Sequence, residues 1–149
     1  KKEQIYLAET VEKTIKNHKE HSNSNAIQIQ NSIPTATIVW SDNLLLEMIL
    51  DNLISNAIKY NKTRGNIFIN WDQPKRTLSI TDEGIGIDSD QLPFLFNRFF
   101  RADDSRSSKI PGNGLGLSIA KRLCDAQNIK LTVSSKKGKG TTFLLQFPV

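Results

Sequence analysis

The stretch from Asn43 to Tyr60 constrains the fold of this chain most strongly, because apolar residues recur along it at helical spacing. Ser41 or Asp42, directly before it, can cap a helix by accepting backbone hydrogen bonds. The apolar stripe consists of Leu46, Ile49, Leu50, Leu53, Ile54 and Ala57. A long helix with such a stripe is expected to pack against another layer of secondary structure.

The segments around this helix predict strands in pairs, with helices between the pairs. Asn128 can adopt the left-handed conformation that ends a helix. The order predicts an α+β fold: a two-layer α/β sandwich with three helices on one face of a mixed, mostly antiparallel sheet of about five strands. The predicted segments are helices at about 4–20, 90–96 and 115–127, single strands at 27–30 and 35–40, and hairpins formed by 66–71 with 77–81 and by 131–134 with 142–147.

Size and composition narrow the functional classes. A chain of 149 residues and 16.8 kDa is expected to form one domain. Its net charge of +5 fits an anionic ligand, but the basic residues are scattered and no groove-reading helix is evident, so nucleic-acid binding is not favoured. A single cysteine, Cys124, excludes an internal disulfide, and the apolar stretches are too short to cross a bilayer.

Two asparagines interrupt the long helix. Asn52 and Asn56 share one face, which Lys59 and Tyr60 continue one turn later. Asparagine is a poor helix former because its amide competes for backbone hydrogen bonds, so an aligned pair suggests a ligand. The amide oxygens could hold Mg²⁺, and Lys59 could neutralise phosphate charge. For this stretch alone, a polar face turned to solvent is an equally good interpretation.

Three glycine-containing segments follow. Thr81–Asp88 comes directly after a predicted strand; its glycines allow a ligand close to the backbone, and Asp82 can accept a hydrogen bond from an amine such as that of adenine. Pro111–Leu117 opens a predicted helix, whose free N–H groups attract anions. Lys137–Phe143 fits a hairpin turn. Each segment alone also fits an ordinary turn, and the first lacks the third glycine of a dinucleotide-binding fingerprint.

Together and in this order, the asparagine helix and the three glycine segments resemble the N, G1, G2 and G3 boxes of the histidine-kinase catalytic and ATP-binding domain. That domain is a member of the gyrase, Hsp90, histidine kinase and MutL ATPase superfamily. Phe94–Asp103 looks like the F box of the same family. The resemblance covers about Leu7 to Phe147 and implies the Bergerat ATP-binding fold, ATP and Mg²⁺ as ligands, and an ATP lid at residues 88–113.

The resemblance also implies individual roles. Asn56 corresponds to a magnesium ligand, with Asn52 beside it and Asn113 as a further candidate. Lys59 and Arg101 correspond to groups that contact phosphate, and they complete the catalytic set with Asn52 and Asn56. The implied ATP-binding set is Asn52, Asn56, Lys59, Tyr60, Asp82, Gly84, Gly86, Ile87, Arg101, Arg106, Gly112, Asn113, Gly114, Leu115, Gly116, Leu117 and Thr141.

Within this set, Asp82 corresponds to the adenine-reading aspartate and Thr141 to a threonine near the base, while Ile87 packs close to the base. Arg101 and Arg106 stand where the lid can present arginines to the phosphates.

Two departures from the family's pattern bear on mechanism. Where ATP-hydrolysing relatives carry a glutamate that activates water, this chain has Asn52, and an amide cannot act as a general base near neutral pH. Phosphoryl transfer is therefore favoured over hydrolysis. Neither His18 nor His21 stands in the family's phosphoacceptor pattern, so both are expected to be ordinary surface histidines.

The 149 residues are accordingly expected to form one catalytic and ATP-binding domain. Residues 1–22 are expected to form the helix by which the chain enters it from a dimerisation and phosphoacceptor domain of the same protein. The resemblance implies γ-phosphate transfer from ATP to a histidine of that domain and relay to a response regulator. It further implies a monomeric isolated fragment, a homodimeric full-length protein, and a cytoplasmic domain of a protein that can be anchored in the bacterial plasma membrane. Two alternatives stay open: a nucleotide-gated switch and an anti-sigma-factor-type serine kinase of the same superfamily.

Overall fold

The computed structural model describes residues 1–97 and 116–149 as an α+β arrangement. In chain order its elements are β1 (Lys2–Tyr6), α1 (Leu7–Asn17), α2 (Lys19–Ser24), β2 (Gln28–Asn31), β3 (Ile38–Asp42), α3 (Asn43–Lys59), β4 (Asn66–Asp72), β5 (Thr77–Asp82), a 3₁₀ turn (Leu92–Phe94), α4 (Gly116–Ala126), β6 (Lys130–Lys136) and β7 (Gly140–Gln146). Among the described helices, none has the length and apolar content needed to span a membrane.

Five strands form the main sheet, in the order β2-β4-β5-β7-β6. The β2–β4 pair is parallel, and the other three pairs are antiparallel. β1 and β3 form a separate antiparallel ladder of two strands. The predicted mixed, mostly antiparallel sheet of five strands is therefore confirmed.

The helices pack on one face of this sheet. Burial alternates along β4, β5 and β7, as expected for strands with one face in the core. α3 contacts β5 as well as α1 and α4, while α4 contacts β6 and α1 contacts β2. The inward-facing apolar residues of the three strands are Ile67, Ile69, Leu78, Ile80, Phe143 and Leu145.

The predicted first helix begins too early, because residues 2–6 form β1. Ile5 is buried and pairs with Val39 of β3, a contact over long sequence distance that local periodicity cannot reveal. The helical region also breaks at His18 and continues as α2, so the described chain contains four α-helices, where three were predicted besides the short segment at 90–96.

Other differences are shifts of element boundaries. The strand predicted at 35–40 lies at Ile38–Asp42, and the short helix predicted at 90–96 is only a 3₁₀ turn. The end of α4 agrees with the prediction, since Asn128 has a φ of 59°.

The start of α3 is fixed by side chains. Asp42 caps the helix through its Oδ1, which accepts the Leu45 N–H at 3.0 Å. Gln127, just after α4, accepts the Asp42 N–H at 2.7 Å and the Ser41 hydroxyl through its Oε1. The two helices that border the candidate site are therefore joined at this end.

Leu53→Ala is expected to lower the free energy of unfolding by about 2–5 kcal/mol, because it leaves a cavity at a fully buried position of α3. Leu44→Ala is the control: it makes the same change on the same helix at a side chain that is 66% exposed, and should cost within about 0.5 kcal/mol. Urea unfolding of both variants measures the difference, and equal losses would contradict the packing described here.

Candidate functional site

Asp82 is buried at the end of β5 because the strand alternation carries it to the inner face of the sheet, in line with Leu78 and Ile80. Only 6% of its surface is exposed. Its Oδ1 accepts the Gly84 N–H at 2.8 Å and the Thr141 N–H at 3.3 Å. Its Oδ2 has no hydrogen-bond partner in the described part of the chain, so this oxygen can accept from a ligand.

Burial raises the pKa of the Asp82 carboxyl to about 6. Desolvation is the main cause because it disfavours the charged form, and the N–H groups of Gly84 and Thr141 oppose it by stabilising the carboxylate. A buried carboxyl that has a raised pKa and one oxygen available to a ligand is typical of a binding site.

Three glycines hold the Asp82 segment against its neighbours. A Cβ added to Gly84 would overlap the carbonyl oxygen of Tyr60 at the end of α3, and one added to Gly140 would overlap that of Asp82. Gly86 has a φ of 72°, and its added Cβ would overlap the Lys136 carbonyl. Together, Gly140 and the two glycines predicted to shape one wall, Gly84 and Gly86, allow close backbone contact between the Asp82 segment, α3 and the β6–β7 hairpin.

Ser135, which the sequence did not single out, lies directly beside this wall. Its Oγ accepts the Ile87 N–H at 2.8 Å, donates to the Gly140 carbonyl at 2.7 Å, and lies 2.9 Å from the Thr141 Oγ1. The available sequence signal was its register, since it is the residue opposite Thr141 in the β6–β7 hairpin.

Asn52 and Asn56 are partly exposed on α3, and within the described residues neither side chain makes a hydrogen bond. A Cβ added to Gly116 would lie 3.4 Å from the Asn52 Oδ1, so the first turn of α4 lies against this side chain. Two amide oxygens on one helix face are suitable donors for a hard cation, and the site therefore fits Mg²⁺.

Lys59 and Tyr60 continue the asparagine face at the end of α3. The Lys59 Nζ lies 5.9 Å from the centroid of the Tyr60 ring, within the range of a cation–π contact. Both residues are partly buried. The predicted phosphate-contacting lysine and the aromatic residue are thus neighbours on the same helix end.

The remaining predicted residues divide into two groups. Ile87 and Leu117 are partly buried and pack against the core. The others lie outside the described residues, as does the lid from residue 98 onward, so their roles remain predictions: Arg101, Arg106, Gly112, Asn113, Gly114 and Leu115.

Residues 41–149 match the family model described as histidine kinase-, DNA gyrase B- and HSP90-like ATPase. The chain belongs to this family. The predicted family membership is confirmed.

Known proteins agree with this assignment. The chain is 43% identical over 110 residues to the sensor histidine kinase YkoH of Bacillus subtilis. This match covers 74% of the chain and 24% of YkoH. Its fold is similar to that of the mycobacterial sensor histidine kinase MprB, with a TM-score of 0.82, 24% identity and 99% of each chain covered. It is also similar to full-length ShkA, solved in complex with AMPPNP, with a TM-score of 0.81, 23% identity, and 99% of this chain and 31% of that one covered.

The chain spans only part of such relatives. It covers between 18% and 36% of the length of the similar sensor kinases YkoH, PhoR, WalK and SenX3. The family and the ATP-binding fold therefore apply to this chain directly, whereas the activity of a whole sensor kinase is a separate question.

Asp82→Asn is expected to flatten the pH dependence of stability between about pH 4 and pH 6. The native carboxyl has a pKa of about 6, against an ordinary value of 3.8 in the unfolded chain, so the native state binds more protons in this window. The contribution of Asp82 to the free energy of unfolding is therefore full below the window and is lost as the pH rises through 6. Urea unfolding at several pH values tests this, with the exposed Asp72→Asn as control. Equal slopes for the wild type and Asp82→Asn would refute the raised pKa.

Proposed function

We propose that this chain is the ATP-binding catalytic domain of a two-component sensor histidine kinase. In this proposal it binds ATP with Mg²⁺ and passes the γ-phosphate to a histidine on a separate domain. The observation that carries the proposal is the side chain at position 52, an amide that lies against the first turn of α4 and shares a helix face with Asn56. An amide positions a ligand but does not remove a proton from water, which favours transfer over hydrolysis.

The carboxylate of Asp51, next to Asn52 in the chain, is paired with a histidine. Asp51 precedes Asn52 on α3, and its Oδ1 lies 2.6 Å from the Nε2 of His18 at the junction of α1 and α2. This pair links the first helices to α3. His18 is only 19% exposed in this contact, which supports a structural role and not that of a phosphoacceptor.

The magnesium ion is assigned to Asn56 and Asn52, whose amide oxygens have no competing hydrogen bonds among the described residues. When bound, the ion would neutralise negative charge on the phosphates. Lys59 adds a positive charge one turn further along the same face. Phosphoryl transfer depends chiefly on such positioning and electrostatic stabilisation, so the chain's own contribution is to hold the nucleotide in place.

The adenine is assigned to the opposite end of the site, beside Asp82. The carboxylate would accept a hydrogen bond from the exocyclic amine through its open Oδ2. The AMPPNP complex of ShkA, a structural neighbour, supports nucleotide binding by this fold.

The partners follow from the same proposal. The nucleophile is a histidine of a dimerisation domain in the same protein, and a response regulator then receives the phosphoryl group. The names of the relatives support this assignment, as does the lack of a phosphoacceptor pattern around His18 and His21. We assign the domain to the cytoplasm, where ATP is available, within a homodimeric kinase.

Asn56→Ala is expected to weaken ATP binding at least about tenfold in the presence of Mg²⁺ and to have little effect in EDTA, because it removes a ligand of the metal. Asn70→Ala is the matched control, since Asn70 is exposed on β4. Calorimetric titration of the wild type and both variants, with and without Mg²⁺, measures the six affinities. A loss of equal size in EDTA would show that Asn56 does not act through the metal.

Incubation with γ-labelled ATP and a separately made phosphoacceptor domain is expected to label that domain with acid-labile, alkali-stable phosphate. The chain alone should remain unlabelled, because neither of its histidines is placed to accept the group. A stable phosphohistidine on His18 or His21 would overturn the proposal. Acid-stable phosphoserine would favour the serine kinase, and tight binding with no transfer would favour the nucleotide-gated switch.

A further inference from the structure

Ser135 joins three segments of the adenine end of the site through one hydroxyl group. It accepts the backbone N–H of Ile87, donates to the backbone carbonyl of Gly140 and contacts the hydroxyl of Thr141. Thr141 in turn donates its backbone N–H to Asp82. The five residues form a connected network that is partly or fully buried.

The direction of each hydrogen bond follows from a count of protons. The Ile87 N–H can only donate, so Ser135 accepts there, and the Gly140 carbonyl can only accept, so the single hydroxyl proton of Ser135 is used on it. The remaining contact, at 2.9 Å, must be donated by the hydroxyl of Thr141. Thr141 then has no proton left for a ligand and presents only lone pairs.

We propose that Ser135 is a positioning residue that holds the Thr141 hydroxyl as a hydrogen-bond acceptor and thereby selects nucleotides whose base carries an amino group at C6. This inference rests on the proposed function, which places the base beside Asp82. Ser135 itself does not need to touch the nucleotide, because it acts through Thr141.

The neighbouring carboxylate of Asp82 likewise offers only hydrogen-bond acceptors to a ligand. The Oδ1 of Asp82 is used by two backbone N–H groups, and its Oδ2 is an acceptor at any pH well above 6. A base with an oxygen at C6 would set an acceptor against these acceptors, and leaving buried polar groups unpaired is costly. Fixing the Thr141 proton away from the ligand therefore strengthens discrimination against 6-oxo purines.

The test compares ATP with inosine triphosphate, which carries an oxygen at C6, by measuring both dissociation constants at pH 7.5. Ser135→Ala frees the Thr141 hydroxyl to rotate and donate. We expect the preference for ATP to fall about five- to tenfold, as for the loss of one oriented hydrogen bond. Ser135→Thr keeps a hydroxyl and should restore the preference. Ser134→Ala is the control: it removes a hydroxyl from the adjacent, exposed position of β6 and should leave the preference for ATP unchanged.

The ratio of the two dissociation constants separates positioning from general stability. If the loss of Ser135 only destabilised the site, binding of both nucleotides would weaken equally and the ratio would not change. That result, with normal ATP binding by the wild type, would overturn this inference and leave the proposed function standing. Failure of the wild type to bind ATP would instead overturn the proposed function.

A second variant keeps the inference testable if Ser135→Ala fails to fold. Thr141→Val removes the oriented hydroxyl with little change in volume, and it should also lower the preference for ATP. If both single variants fold, the double variant should lower the ratio no further than either one, because both act through the same hydroxyl. Additive effects on the ratio, or an unchanged ratio in Thr141→Val, would refute the inference.

Discussion

The packing of α3 on the sheet is the contact on which the rest of the molecule depends. The apolar stripe of this helix is fully buried against β5 and between α1 and α4. Because the stripe fixes the rotation of the helix, Asn52 and Asn56 are left at its partly exposed margin, beside the start of α4. The same packing brings the end of α3 to the glycine-shaped loop that follows β5. One hydrophobic contact therefore sets the positions of both ends of the candidate site.

The polar wall of the site depends on a second constraint, the two-residue repeat of β-strands. Leu78 and Ile80 direct β5 into the core, and the same repeat takes Asp82 inward, where its charge is poorly solvated. Thr141, the second residue of β7, lies on the same inner face. Burial of a carboxyl costs free energy unless it gains partners, and here two backbone N–H groups partly compensate. The unused oxygen is what remains for a ligand.

The sequence predicts most of this architecture because the periodic signals are strong. The helix at Asn43–Lys59 and the hairpins carry clear patterns, and the order of the asparagine and glycine segments identifies the family. β1 was missed because Ile5 is its only buried residue, so the strand has no alternating pattern, and only its pairing with Val39 decides the outcome. Ser135 was missed for a related reason: a serine near the end of a strand has no distinctive spacing, and its importance lies in which partners surround its hydroxyl.

The ladder of β1 and β3 has a mechanical consequence. Lys2 pairs with Asp42, and Asp42 is both the last residue of β3 and the cap of α3. No loop separates the ladder from the helix, so a force along β1 acts on the first turn of α3 without a flexible element to absorb it. Strands that pair side by side resist such sliding through several hydrogen bonds at once. β1 and the first turn of the asparagine helix are therefore linked through paired backbone, with no loop between them.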